Sequence, residues 1–295
     1  MRERRDCLIL SHRSRGVAGQ AEGYQGMGQT AKIQGRCGIL LLAVVFSVVC
    51  NAAAPQRSYQ SGFTIVLKLG GELSESLSAR FGNQIDPQAI ALQPQDSPVV
   101  TPIVTTEDNR VRRQVALSAG FIDLLNHICH AKAVDHIQPG FFDQYIKNLA
   151  VGIGGGMVQP PSIVDPRYWT DDVINDQMSF FNQMIGFMMA INLSHHYLGH
   201  YAKYSSKMIG AGNTLSPIND FLTPAEWDVS VKAAAVDSLN CALATDGCRA
   251  LFEAIDEMPH RPAWADYIIP ARVDIKKLNK QLVRYEEDFF RGQLK

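Results

Sequence analysis

The chain has 295 residues, 46% hydrophobic and 19% charged, enough to bury the core of one large domain or two small ones. Its formal net charge is −1, and no basic cluster follows the N-terminal segment. That excludes the electrostatic footprint of a nucleic-acid-binding protein and of a polybasic membrane anchor.

The N-terminus reads as an export signal. Lys32 and Arg36 precede the uncharged run from Gly38 to Val49, and Ala52, Ala53 and Ala54 follow. A positive flank, an apolar middle and a small-residue exit are the three parts of a cleavable signal peptide. The run is too short for a membrane span. A signal over residues 1–54 is expected, with Met27 the start of more usual length and residues 1–26 upstream of it. Cleavage near Ala52–Ala54 removes seven of the 28 basic and three of the 29 acidic residues, leaving 21 and 26 and a net charge of −5. The expected location is the periplasm or the cell exterior, with no stable membrane span after cleavage.

Residues 55–97 read as a lead-in. Phe63 to Leu69 is rich in β-branched and apolar residues and ends at Gly70-Gly71, a strand-and-turn signal. Residues 72–97 read as loop with a short helix. Val99–Thr105 and Val111–Leu117 flank Glu107-Asp108-Asn109 and predict a β-hairpin. Ser118-Ala119-Gly120 leads into a helix whose apolar face carries Phe121, Ile122, Leu125 and Ile128. His127 and His130 fall three apart on it and read as a polar helix edge. A short helix covers 141–150, and Val151-Gly152-Ile153-Gly154-Gly155-Gly156 reads as a mobile connection. It has neither the spacing of a dinucleotide fingerprint nor the Lys-Ser/Thr ending of a phosphate loop.

From Gln177 to Ala202 there is no Asp, Glu, Lys or Arg. Crowded Phe, Met and Ile residues, interleaved with Asn182, Gln183 and Asn192, predict a buried central helix running to about Lys207. Thr223-Pro224-Ala225-Glu226 is a helix start, with an N-cap hydroxyl, Pro in the first turn and an acid near the dipole. That helix is predicted to end near Leu243. Another spans Cys248 to Met258, and a charged amphipathic helix covers Val273 to Arg291. Three cysteines follow the signal. Cys129 reads as a buried thiol, while Cys241 and Cys248 flank a turn and are expected to form a disulfide, since an exported chain meets an oxidising compartment.

The central helix ends in Ser194-His195-His196-Tyr197-Leu198-Gly199-His200. On a continuous helix, His196 and His200 lie one turn apart on one face, where two imidazoles can share a metal ion. A zinc peptidase motif places a glutamate after the first histidine as general base, and here Tyr197 stands there. A phenol with a pKa near 10 is a poor proton acceptor at neutral pH.

The histidine spacing, the Gly before the second histidine, and the order of hairpin, helix, histidine helix and acidic helix resemble the HtpX-like gluzincin metallopeptidases over roughly residues 98–245. The resemblance implies a zincin-like α+β fold, mostly α, with a small sheet or hairpin, a buried histidine-bearing central helix and a C-terminal helical part. It implies zinc on His196 and His200. The family's third ligand is a Glu four residues before an Asp on the next long helix. With Asp237 as that Asp, the ligand position holds Ala233. Glu226 or Asp237 is then the alternative third ligand, and His195 a further candidate. Glu226 or Asp228 could stand in for the missing base.

The chain thus divides into the signal, the lead-in at 55–97, a metallopeptidase-like domain at 98–258 and a C-terminal loop and helix at 259–295. Two functions follow as expectations. One is an exported hydrolase that cleaves peptide or protein substrates with zinc and an atypical or lost base. The other is an inactive protein of that fold with a binding or structural role.

Overall fold

A computed structural model describes residues 54–82, 85, 89–149, 160–209 and 215–294. The signal segment through Ala53 and the Gly-rich stretch 151–156 lie outside them. Eight α-helices, four short 3-10 helices and three strands make up the described chain, mostly α with one small sheet.

The chain enters on α1 (Ala54–Phe81), where a strand, turn and loop were expected. Val66, Leu69, Leu73 and Leu77 are buried, spaced three and four apart, so the period is helical although the residue types favour strand. Gly70 makes no turn. A Cβ there would lie 2.2 Å from Cδ1 of Ile90, so the glycine lets the helix approach the sheet.

β1 (Ile90–Gln93), β2 (Val100–Glu107) and β3 (Arg110–Ser118) form a sheet in the order β1-β3-β2. β1 runs parallel to β3, pairing Ile90 with Val115, and β2 pairs antiparallel with β3, Glu107 opposite Arg110. The expected hairpin is therefore present. Asp108 and Asn109 both have positive φ, 49° and 59°, the backbone that a two-residue hairpin turn requires.

Ser118 ends β3 and starts α2 (Ala119–Asp135). Its hydroxyl accepts from the Phe121 and Val99 amides at 3.0 and 2.8 Å and donates to the Ser97 carbonyl at 2.7 Å. α3 (Phe141–Leu149) follows. α4 (Asp171–Tyr197) begins at the Thr170 cap with Asp171 and Asp172 in its first turn. It is the central helix, packed against α1, α2, both hairpin strands, α6 (Pro224–Asn240) and α7 (Asp246–Glu257). Phe187 of α4 meets Phe252 of α7 edge to face, ring centres 6.1 Å apart. α8 (Ile275–Phe290) lies on α6 and α7 through Ile275, Leu278 and Leu282. Among the described residues, no helix is long and apolar enough to cross a membrane.

The central helix does not continue to Lys207. It stops at Tyr197, and Gly199 takes a left-handed conformation with φ 78°. The Leu198 amide bonds the Ser194 carbonyl and the Gly199 amide the His196 carbonyl, which closes the last turn. A new helix, α5 (His200–Met208), then begins.

The expected disulfide is not formed. Cys129, Cys241 and Cys248 are free thiols. Cys241 is the C-cap of α6 and lies against Ser76, whereas Cys248 faces inward from α7 and donates to the Thr245 carbonyl at 3.0 Å. Ala242, with φ 58°, reverses the chain between them.

Candidate functional site

The break at Gly199 decides what the histidines can do. His196 is buried on the sheet side of α4, and its Nε2 lies 2.9 Å from the Gln114 carbonyl of β3. A carbonyl only accepts, so Nε2 carries the proton. Burial, with Arg113 nearby, lowers the His196 pKa to about 4, opposed by the Gln114 bond. His196 and Tyr201 line a groove of about 490 Å3, with Val104, Val111, Arg113 and Ile209 along it.

His200 has another neighbour. It opens α5, and its Nδ1 sits 3.2 Å from Nδ1 of His195, the rings 5.5 Å apart and tilted by 46°. Ser230 of α6 joins them, its Oγ 3.2 Å from His200 Nδ1 and 3.4 Å from His195 Nδ1. That hydroxyl also donates to the Glu226 carbonyl at 2.9 Å, the i−4 bond of a serine inside a helix. Desolvation holds both rings below the usual histidine range. The neighbouring His200 and His196 add to this at His195, while Glu226 opposes it at both. Both imidazoles are neutral at pH 7.

Neither expected third ligand is available. Asp237 is 2% exposed and bound at both oxygens: Arg80 donates to Oδ1 at 2.7 Å and Tyr197 to Oδ2 at 2.6 Å. Burial raises its pKa against those two partners. Tyr197 stacks on Phe81, ring centres 3.8 Å apart. The residue in the general-base position is thus a donor to a buried acid, and its own pKa is raised by burial and by Asp237.

Glu226 completes a capping box. Its Oε2 accepts from the Thr223 amide and hydroxyl at 2.8 and 2.9 Å, while its own amide donates to the Thr223 hydroxyl. Lys203 and Tyr204 of α5 add bonds of 2.7 and 2.9 Å. Desolvation raises its pKa, but those donors outweigh it and hold the carboxyl at about 2. Asp228 is exposed.

The zinc set that the resemblance implies therefore does not fit this arrangement. His196 donates to the sheet, His200 faces His195, and both acids are tied to other partners. Among the described residues, no group of three or more His, Cys, Asp or Glu side chains is placed to hold a metal. Sequence reasoning missed Ser230, Gln114 and Arg80. Only the i−4 spacing of Ser230 to the Glu226 cap marks any of them.

His127 and His130 are not a polar edge. Both are buried, and the His127 pKa is lowered to about 4 by desolvation and by His130. His130 stacks on Trp169 at 4.5 Å, its Nδ1 3.1 Å from Gln177. His136, in the turn after α2, pairs with Asp176 at 2.8 Å.

No family model, no curated protein and no solved structure matches the chain.

Proposed function

We propose that the chain is an exported protein on a zincin-like scaffold that has no peptidase chemistry and serves a binding or structural role. The order of hairpin, α2, histidine-bearing α4 and acid-bearing α6 supports the scaffold half of this reading. The observation that carries the non-catalytic half is the bond from His196 Nε2 to the Gln114 carbonyl. It ties the central helix to the sheet and takes the nitrogen that a peptidase would give to zinc. Tyr197, in the place of the base, anchors Asp237 instead.

The test uses the exported mature form with casein and peptide substrates, with and without added zinc. The expected result is no chelator-sensitive cleavage. Chelator-blocked cleavage that is lost in both His196→Ala and His200→Ala overturns the proposal. N-terminal sequencing of the same material checks export, with a new terminus expected within residues 53–55.

A further inference from the structure

Three exposed apolar side chains meet at the groove beside His196. Val104, Val111 and Ile209 are 37%, 57% and 60% exposed, and all three line it. Single exposed hydrophobic residues are ordinary, but a cluster around one concave surface marks a place where something binds. The groove lies between two regular faces. Val104 pairs with Arg113 across the hairpin, and Val111 is two residues from Arg113 on β3, so these three share one face of the sheet. Opposite them, Tyr201, Ala202, Ser205 and Ile209 follow one stripe of α5 and its end, while the other stripe buries Tyr204 and Met208 in the core.

The slot has a direction. Tyr201 stands at the His196 end, their rings 5.2 Å apart, and Ile209 lies about 12 Å further along the helix. Between them the small side chains of Ala202, Ser205 and Ser206 leave the space. Its volume of about 490 Å3 falls within the roughly 300–1,000 Å3 of small-ligand sites. Arg113 is the one charged residue that lines it among the described residues, and no Asp or Glu does. The guanidinium sits at the His196 end, since the carbonyl of the next residue, Gln114, accepts from His196 and the Arg113 charge helps keep that ring neutral. Glu107, the acid of the hairpin, is paired with Arg112 at 2.9 Å.

A cation at one end, apolar walls and a floor of small side chains complement an anion with an unbranched apolar tail. We propose that the groove binds a free single-chain fatty carboxylate, its head on Arg113 and its tail along α5 between the hairpin valines and Ile209. Arg113 makes a contact of its own, but a guanidinium carries five N–H donors in a fork that matches a carboxylate, so the head group joins that contact rather than replacing it. The His196 Nε2 proton stays on Gln114, and the ligand touches no group that must ionise. This site gives the binding role proposed above its ligand and rests on that reading.

The test is calorimetric titration of the mature chain with dodecanoate, with octanoate and dodecyltrimethylammonium beside it. Wild type is expected to take one equivalent of dodecanoate and none of the cation. Octanoate binds at least about 10-fold more weakly, since each buried methylene adds a factor of about four. Arg113→Gln weakens dodecanoate binding by about 10–100-fold, the range for hydrogen bonds to a charged group. Ile209→Asp, at an exposed position, weakens it by at least about 10-fold, whereas Ile137→Asp, 53% exposed and outside the groove, leaves it unchanged. Circular dichroism checks folding, and if the Arg113 variant does not fold, Ile209→Asp decides. Wild type without saturable binding, equal binding of the cation, or equal loss in Ile137→Asp overturns the proposal. A wild-type dimer that Ile209→Asp dissolves overturns it as well, because a second copy is then the occupant. No dodecanoate binding together with no casein cleavage overturns this site alone and leaves the non-peptidase reading standing.

Discussion

The Tyr197 hydroxyl donates to Asp237 Oδ2 at 2.6 Å, joining the last residue of α4 to the last turn of α6. Asp237 is 2% exposed, and its other oxygen is served by Arg80 from α1. Three helices therefore meet at one buried carboxylate. Tyr197→Phe keeps the ring stacked on Phe81 but removes the donor, leaving a buried acceptor without its partner. The expected loss is about 1.5–3 kcal/mol in urea unfolding, the range for a hydrogen bond to a charged group. Arg80→Gln should cost less, because the guanidinium side chain is 43% exposed and screened by solvent. A Tyr197→Phe variant as stable as wild type would mean that the phenol does not hold the acid.

His127 has two buried ring nitrogens with no hydrogen-bond partner. Its pKa, about 4, lies below the ordinary 6.5, so between these values the unfolded chain binds more protons than the folded one. Stability therefore rises with pH across that window and falls as the solution is acidified through it. The contribution of His127 to this loss by pH 4 is about 3 kcal/mol. His127→Leu should remove that part of the acid slope. At pH 7 it should be neutral or stabilising by about 1 kcal/mol, since it replaces unpaired polar atoms with hydrocarbon. Thermal unfolding of both proteins from pH 4 to pH 8 measures both effects.

Glu226 is the most heavily bonded acid of the candidate site. Glu226→Ala removes half of the capping box and the partner of Lys203 and Tyr204. The expected loss is about 1–2 kcal/mol by urea unfolding, the upper part of the range for a lost cap. Thr223→Ala, which keeps the α5 contacts, should cost about 1 kcal/mol. Equal losses in the two variants would show that the bonds to α5 contribute nothing.

The hairpin, the helix after it and the cap at Thr223 were legible because each has a local cause. A paired positive-φ turn, a 3.6-residue apolar stripe and an S/T-x-x-E spacing act within a few residues. α1 was misread because Phe63, Thr64, Ile65 and Val66 favour strand by residue type, while the burial of Val66, Leu69, Leu73 and Leu77 comes from tertiary packing. Reading Gly70-Gly71 as a turn compounded the error, since Gly70 is a contact with Ile90. The histidines were found, but their partners were not. Gln114 is 82 residues from His196, and Ser230 is 30 from His200, separations over which no periodicity carries information.

Gly199 is the residue on which the pairing of the histidines turns. Its φ of 78° ends α4 and sends His200 toward His195 and Ser230, away from the His196 face. A Cβ built there meets nothing within 4 Å, so any cost of substitution is backbone strain alone. Gly199→Ala should destabilise the fold by about 1–2 kcal/mol, the penalty for an L-residue in the left-handed region. Gly199→Asn should lose less, because asparagine tolerates that region. Urea unfolding of the two variants beside wild type reads the difference. An alanine variant as stable as wild type would mean that the backbone at 199 is not left-handed. The helix would then run through, and His196 and His200 would again share a face.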